Sequence, residues 1–482
     1  MKILFSHSYF LRFDPKQWKL GQPYAPLGTL YAAALLREQG HEVALFDSMF
    51  ASSAQEVVPH LEGSGPGVFV CWDDGFNYLT KMCLTNMREA ALEMIRLAKK
   101  NNCTVLVNSS DSADHFDKYL DAGADAVIIG EGEQTLCELL GRIEKGENIF
   151  SVNGIAFRRN GKTERNNPRE VMRDPDALPH PAWDLVDVKR YREIWMSKHG
   201  YFSMNVATTR GCPFKCNWCA KPIYGNRYNS HSPQYIAEEI KFLKNNFHVD
   251  HIWFCDDIFG LKPGWVKTFA ELLAKEKIQI RFKIQSRVDL LLEDTTIADL
   301  SRAGCDTVWV GAESGSQKIL DSMDKGTRVE QIYEATALLK KHNIKPAFFI
   351  QFGYPGETKE DIALTIRMLS DLLPDDIGIS VSYPLPGTLF YERVKNELKE
   401  KANWTDSDEL TLMFRNTYSK EFYRQLHRYV HKHYRKKQSL DTLAKMLRQP
   451  LKINAANIKR SLSFLYFTPA AFIEKQKLDK LS

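Results

Sequence analysis

The residues with the clearest chemical potential are three cysteines in the segment TTRGCPFKCNWCAKP. Cys212, Cys216 and Cys219 have the spacing C-x3-C-x2-C. Three thiolates this close can converge on one metal centre, and soft sulfur ligands select zinc, copper(I) or an iron–sulfur cluster. Structural zinc needs a fourth ligand, which Cys255 or Cys305 could supply if folding brought it near. With three protein ligands only, one iron of a cubane cluster stays open to a substrate.

The composition is that of an ordinary globular protein. The chain has 482 residues, of which 44% are hydrophobic and 26% charged, which excludes a disordered or collagen-like protein and predicts two or three domains. We find neither an apolar run long enough to span a bilayer nor an export signal at the start, so we expect a cytoplasmic protein. The nine cysteines are then expected to be thiols, metal ligands or core residues rather than disulfides.

An α/β module is predicted over residues 1–150. Short apolar strands alternate with helical segments there, which is typical of a Rossmann-like, doubly wound parallel sheet. Ligands of such sheets bind at the carboxyl ends of the strands, beside the point where the strand order reverses. The predicted strands cover residues 2–5, 41–47, 67–72, 103–108 and 125–130. A pocket is therefore expected around residues 72–75, 108–111 and 130–133.

Residues 151–198 are rich in Arg, Asn and Pro and are interpreted as a linker. From 199 to 390, six strand–helix units suit a partial (β/α)6 barrel with its chemistry at the carboxyl ends of the strands, although a doubly wound sheet has the same periodicity. Residues 391–482 are predicted to be helical and basic. From 415 to 482 there are 16 Lys or Arg and 4 Asp or Glu.

The cysteine segment resembles the signature of the radical S-adenosylmethionine (SAM) superfamily, C-x3-C-x-aromatic-C, with Trp218 at the aromatic position. The resemblance implies that the three cysteines hold a [4Fe–4S] cluster whose open iron chelates SAM. One electron then cleaves SAM to a 5′-deoxyadenosyl radical. The resemblance also places Trp218 near the adenine. It implies further SAM contacts at later strand ends, namely Asp256, Asp257, Ser286, Arg287, Glu313, Gly353 and Tyr354. For Asp256 and Glu313 a helix cap or a salt bridge is an equally good interpretation.

The first module also resembles a known group. The segments PLGTLYAAALLREQGHEVALFD, VNSSDSADHFDKYLDAGADAVIIGEGEQTL and LPHPAWDL are similar to cobalamin-binding-domain radical SAM proteins. That group includes cobalamin-dependent methyltransferases and the anaerobic Mg-protoporphyrin monomethyl ester cyclase. The motif D-x-H-x-x-G, whose His binds cobalt in some relatives, does not occur in this sequence. The resemblance implies these cobalamin contacts: Trp72, Asp73, Asp74, Asn108, Ser109, Ser110, Gly130 and Glu131. The alternative is a docking or substrate domain without a cofactor.

The resemblance implies radical C-methylation of an unactivated carbon, with cobalamin carrying the methyl group. A second hypothesis is oxidative cyclisation or another radical rearrangement, in which cobalamin relays electrons or is absent. A third is an iron–sulfur protein that binds nucleic acid through the basic C-terminal region, which we consider unlikely. Expected partners are a small-molecule or lipid-like substrate and an electron donor such as flavodoxin or ferredoxin. The basic C-terminal region could also contact a membrane surface.

Overall fold

The computed structural model describes residues 1–82, 84–219, 223–398, 403–410, 412–448 and 454–481. Its first sheet has the strand order β2-β1-β3-β4-β5-β6-β7. The five strands that the sequence predicts are all present and pair in parallel. Because the order reverses beside β1, helices cover both faces, as expected for a doubly wound sheet. The strands are β1 Lys2–Ser6, β2 Glu42–Phe46, β3 Val68–Trp72, β4 Thr104–Asn108, β5 Ala126–Ile128, β6 Ile155–Arg159 and β7 Lys162–Arg165.

Both faces of the central strands are buried, which explains their continuous apolar sequence. Ile3 and Phe5 of β1 lie in the core beneath two of the helices, whereas Leu4 faces the core on the opposite side. The helices of this module are α1 Pro15–Leu20, α2 Leu27–Glu38, α3 Val58–Ser64, α4 Tyr78–Lys81, α5 Thr85–Lys100, α6 Ser110–Asp114, α7 Phe116–Asp121 and α8 Glu133–Glu144.

The segment 151–198 is more ordered than the linker that the sequence predicts. Its β6 and β7 form an antiparallel hairpin that extends the first sheet beyond β5. The two strands are joined by Asn160 and Gly161, both with positive φ (50° and 76°). Asn-Gly is the preferred dipeptide of a two-residue hairpin turn, so the signal was present in the sequence. The segment then enters α9, Val188–His199.

The second sheet has six parallel strands in sequential order, β8-β11-β12-β13-β14-β15. Because each strand lies beside the next one in the chain, right-handed crossovers place every connecting helix on the same side. This resolves the ambiguity between a doubly wound sheet and a barrel in favour of a partial barrel, open between β8 and β15. The strands of this sheet are β8 Ser203–Val206, β11 His251–Phe254, β12 Arg281–Ser286, β13 Cys305–Glu313, β14 Lys345–Phe352 and β15 Asp376–Val381. Two short strands, β9 Thr209–Arg210 and β10 Asn229–Ser230, form a separate pair.

Alternation along the barrel strands separates a dry outer face from a more open inner face. In β12, Phe282 and Ile284 are fully buried with the helices outside, whereas Lys283 and Gln285 are half-buried on the inner side. The helices around the barrel are α10 Pro233–Phe247, α11 Trp265–Lys275, α12 Val288–Leu291, α13 Thr296–Ala303, α14 Gln317–Ser322, α15 Val329–Lys341, α16 Lys359–Leu372 and α17 Leu389–Val394.

The C-terminal region is helical, as predicted, and its first helix belongs to the main core. Helix α18 (Lys420–Arg448) buries Phe422, Leu426 and Val430, and its Tyr434 hydroxyl donates to the Pro374 carbonyl at 2.6 Å. Helices α19 (Ala455–Leu462) and α20 (Phe464–Asp479) follow. Among the described residues, none of these helices or those before them is both long and apolar enough to cross a membrane.

Candidate metal centre

The three cysteines lie on a loop that begins at the carboxyl end of the first barrel strand. The short antiparallel pair β9–β10 joins the two ends of this loop. Gly211, directly before Cys212, has φ 83°, and a Cβ there would lie 2.3 Å from the Arg227 carbonyl oxygen. Only glycine fits this close crossing of two backbone segments. The glycine therefore fixes the direction in which the chain presents its first thiol.

Asn217 anchors the middle of the cysteine loop. Its amide donates to the Ser322 carbonyl at 2.8 Å and to Asp324 at 2.7 Å, and its backbone N–H donates to the Met323 carbonyl. The Tyr354 hydroxyl donates to the Asn217 side-chain oxygen at 2.7 Å. These bonds tie the residue between Cys216 and Trp218 to the strand ends of the barrel. Sequence analysis missed Asn217 because its partners lie more than a hundred residues away.

Three cations surround the thiols. Arg287 lies 3.9 Å from the Cys216 sulfur and 3.8 Å over the Phe214 ring. Lys325 lies 5.8 Å from the Trp218 ring and pairs with the buried Glu313 at 2.9 Å. Lys81, from the first module, forms an ion pair with Asp257, and Arg287 forms one with Asp289 at 2.8 Å. Each of the three cations beside the thiols is therefore also paired with a carboxylate.

The thiols fit a cubane better than a single metal ion. Burial raises the pKa of Cys212 and, with the neighbouring Cys216, raises the pKa of Cys219 to about 12. Within the described ranges no three His, Cys, Asp or Glu side chains converge as a single ion requires. In a [4Fe–4S] cluster each thiolate binds a different iron, so the sulfurs need not converge on one point.

The hypothesis of a zinc site completed by Cys255 or Cys305 is wrong. Cys255 is buried, and its thiol points to the Val206 carbonyl. Cys305 begins β13, at the amino end of the barrel, whereas the cysteine loop lies at the carboxyl end. Both are core residues.

Among the residues expected to contact SAM, Trp218 keeps a free polar atom. Its indole nitrogen is buried and has no hydrogen-bond partner among the described residues, so it remains available to a ligand. Asp257 is partly exposed beside the thiols. Ser286 and Arg287 lie at the end of β12, where the Ser286 hydroxyl donates to the Phe259 carbonyl. The positions of these residues are compatible with the prediction.

Other expected SAM contacts hold the loops in place. Asp256 is fully buried, and its carboxylate accepts from the Thr208 and Thr209 backbone N–H groups at 2.6 and 2.8 Å. Burial raises the pKa of Asp256 to about 7. Tyr354 supports Asn217, and the Gly353 N–H donates to Glu357 at 2.7 Å. Asp256 and Tyr354 therefore position the cysteine loop through other residues rather than offer free groups to a ligand.

The residues expected to contact cobalamin lie at the carboxyl ends of β3, β4 and β5, at the predicted edge. Most of their polar groups are already bonded within the protein. Asp73 accepts from Ser8, Asp74 from the Gly28 and Phe76 N–H groups, and Asn108 donates to the Ile128 and Gly130 carbonyls. Trp72 is buried, Ser109 caps α6, the helix that Ser110 begins, and Glu131 pairs with Arg210. Most of these side chains therefore hold the sheet edge together, and the cobalamin contacts stay a prediction.

Arg210 joins the two modules and was not predicted. It is 1% exposed and lies 2.7 Å from Glu131 and 2.8 Å from Glu133, between the rings of Tyr31 and Tyr224. Burial and Glu133 raise the pKa of Glu131, although Arg210 opposes this. A buried arginine from β9 thus pairs with two carboxylates of the first module.

Helix α4 of the first module lies beside the cysteine loop. Its Lys81 forms an ion pair with Asp257, which follows the second barrel strand. Tyr78 of the same helix is 48% exposed. Tyr78 and Lys81 are three residues apart on α4 and so share one side of this helix.

An open parallel barrel with three free thiols on the loop after its first strand defines the class of iron–sulfur enzymes that cleave SAM. The family model of the Radical SAM superfamily matches residues 206–369, so this part of the chain is a Radical SAM domain. Its cofactors therefore include a [4Fe–4S] cluster and SAM.

Two curated relatives cover most of the chain. An uncharacterized methyltransferase of Pyrococcus horikoshii is 28% identical over 80% of this chain and 82% of the relative. The anaerobic magnesium-protoporphyrin IX monomethyl ester cyclase of Synechocystis is 25% identical over 76% of this chain and 72% of the relative. Among solved structures, the cobalamin-dependent SAM radical enzyme OxsB, with aqua-cobalamin and SAM bound, aligns with a TM-score of 0.74 at 16% identity. The alignment covers 98% of this chain and 72% of OxsB. This likeness confirms the fold of both modules.

Proposed function

We propose that the protein is a cobalamin-dependent radical SAM methyltransferase that methylates an unactivated carbon. The observation that carries this proposal is that the end of the barrel that bears the cysteine loop is joined to the carboxyl edge of the first sheet. The Lys81–Asp257 pair and the Arg210–Glu131 pair connect the two. The Pyrococcus horikoshii relative is named a methyltransferase, which supports methyl transfer, and OxsB binds cobalamin, which supports that cofactor.

The chain's own residues would bind, orient and shield. Cys212, Cys216 and Cys219 would hold the cluster, and Arg287 and Lys325 would offset its charge. When bound, the cluster supplies one electron to SAM, and cobalamin supplies the methyl group. The two modules would hold the reacting groups together and keep water and oxygen from the radical.

Cobalamin, in this proposal, lies against α4 rather than against the eight residues expected from sequence. Most of the side chains of those residues are bonded within the sheet edge, whereas Tyr78 of α4 is 48% exposed. We therefore expect Tyr78 to face the corrin.

The proposed substrate is lipid-like, and the proposed electron donor is a flavodoxin or a ferredoxin. Radical SAM enzymes in general act on a small molecule and need a donor of single electrons. On the inner face of the barrel, Trp309 and Phe349 are half-buried and stacked with centroids 4.7 Å apart. An apolar aromatic wall suits a substrate with little polar surface. A reduced cluster and such a donor belong in a reducing compartment, so we place the enzyme in the cytoplasm.

The test combines metal content with product analysis. The anaerobically purified protein should contain about four iron and one cobalt per chain. With methyl-labelled SAM it should form both S-adenosylhomocysteine and 5′-deoxyadenosine, and the label should appear in the product. Iron without cobalt, or 5′-deoxyadenosine without S-adenosylhomocysteine, would contradict methyl transfer.

That second outcome would favour oxidative cyclisation, the reaction for which the Synechocystis relative is named. The control is Cys216→Ala, which removes a cluster ligand and should abolish 5′-deoxyadenosine. If Cys216→Ala still forms 5′-deoxyadenosine, the assignment of the cluster ligands is wrong.

A further inference from the structure

The last two helices present an exposed apolar stripe. The stripe begins at Ile458, and four further members lie four, seven, eleven and fourteen residues after it. This spacing places side chains on one side of a helix. Helices α19 and α20 follow each other closely through Ser463, which itself has helical φ and ψ (−63° and −12°). The stripe comprises Ile458, Leu462, Leu465, Pro469, Phe472 and the adjacent Ile473. Leaving out Pro469, the side chains in this order are 43%, 56%, 63%, 63% and 48% exposed.

The opposite side of α20 is fixed to the protein. Ala471 and Leu478 are buried, and the Gln425 amide of α18 donates to the Glu474 carbonyl at 2.9 Å. Because this side holds α20 against α18, the apolar stripe points away from the protein. Monomeric proteins rarely expose a contiguous apolar surface of this extent unless it binds something.

The surroundings of the stripe are strongly cationic. From 415 to 482 there are 16 Lys or Arg and only 4 Asp or Glu. Lys459 and Arg460 lie exposed next to the stripe, and Lys432 approaches it through the Tyr466 hydroxyl at 3.0 Å. An exposed stripe of Leu, Ile and Phe with Lys and Arg beside it is an arrangement that can lie in the headgroup region of anionic membranes.

We propose that α19 and α20 dock the enzyme on the surface of an anionic lipid bilayer, with the stripe inserted among the acyl chains. Nucleic acid fits this surface less well, because branched aliphatic residues such as Leu462, Leu465 and Ile473 neither stack on bases nor contact phosphates. The proposal is independent of the proposed methyl transfer, since none of these residues lies near the cysteine loop.

The test is co-sedimentation of the full anaerobic protein with lipid vesicles. The protein should bind vesicles of equal parts phosphatidylcholine and phosphatidylglycerol, and bind pure phosphatidylcholine vesicles more weakly. Binding should weaken as salt increases, because the cationic contribution is screened. Leu465→Ser combined with Phe472→Ser should lower the partition coefficient by at least about tenfold, because two large apolar side chains lose their insertion.

The matched control is Phe242→Ser on α10, another phenylalanine that is 47% exposed but remote from the stripe. It should leave vesicle binding unchanged. All variants should form 5′-deoxyadenosine at the wild-type rate, which shows that they are folded. Vesicle binding that is equal in the wild type and the double variant overturns the proposal. The proposal is also overturned if the wild type binds no vesicles but forms dimers that the double variant does not form. It is likewise overturned if the protein binds a single-stranded oligonucleotide in a salt-sensitive way and does not bind vesicles.

Discussion

At the scale of single residues, Tyr354 was predicted to contact SAM, but in the structure it supports the cysteine loop. Its hydroxyl lies 2.7 Å from the Asn217 side-chain oxygen and 2.9 Å from the Ser322 carbonyl, and its one proton serves both acceptors. Tyr354→Phe should leave the Asn217 side-chain oxygen short of a donor, at a cost of about 1–3 kcal/mol. We expect lower iron content and a lower yield of 5′-deoxyadenosine, measured together on one anaerobic preparation. Tyr391→Phe, nearby on α17, is the control, and equal iron in both variants would refute this role.

Glu357 is a second residue with a measurable consequence. It is fully buried, and burial raises its pKa from 4.5 to about 8. The folded protein therefore holds this proton more tightly than the unfolded chain does. Its contribution to stability is greatest below about pH 4.5 and is lost as pH rises towards 8, by at most about 1.4 kcal/mol per pH unit.

Glu357→Gln should remove this part of the pH dependence and be more stable than the wild type at pH 8. Urea unfolding between pH 5.5 and 8 measures the slope. Glu360→Gln, at an exposed position of α16 three residues further on, should leave the slope unchanged. Parallel stability profiles for the wild type and Glu357→Gln would mean that this carboxyl is ionised in the folded protein.

At the scale of elements, β9 contributes Arg210 to the edge of the first sheet. Arg210→Gln would leave Glu131 and Glu133 buried without a cation, which typically costs about 3–5 kcal/mol. Combining Arg210→Met with Glu131→Gln and Glu133→Gln should recover most of that loss, because no buried charge then remains. Urea unfolding of the three proteins is the measurement. A triple variant no more stable than Arg210→Gln would show that the packing of the guanidinium, and not its charge, holds the modules together.

The elements themselves were largely predictable, and their contacts were not. Short apolar runs between glycines and helical segments locate strands such as β1 and β3 because burial on both faces leaves a local signature. The cysteine loop was predictable because its three ligands lie in one segment. Lys81 and Arg210 carry no such signature, since a lysine or arginine beside a turn usually faces solvent. Their partners, Asp257 and Glu131, each belong to the other module, so these ion pairs form only where the two modules pack together.

At the scale of the whole molecule, the C-terminal helices divide into two parts. Helix α18 buries Phe422, Tyr423 and Leu426 in the main core, whereas α19 and α20 rest on its outer side. Ending the chain at residue 453 should therefore preserve cleavage of SAM and abolish vesicle binding. Ending it at residue 419 should give insoluble protein, because the barrel loses a side of its core. If the first truncation abolishes 5′-deoxyadenosine while its circular dichroism stays native, α20 also serves the active site.

The Arg210 contact also has a consequence during synthesis. Arg210 follows Glu131 by 79 residues, so at roughly 5–20 residues per second the ribosome delivers it roughly 4–16 s later. Throughout that interval the nascent first sheet holds two neighbouring carboxylates with no cation between them. The ion pair that joins the amino-terminal half to the barrel therefore forms only after β9 has emerged. An amino-terminal half transplanted without β9 would keep these two buried carboxylates without their cation.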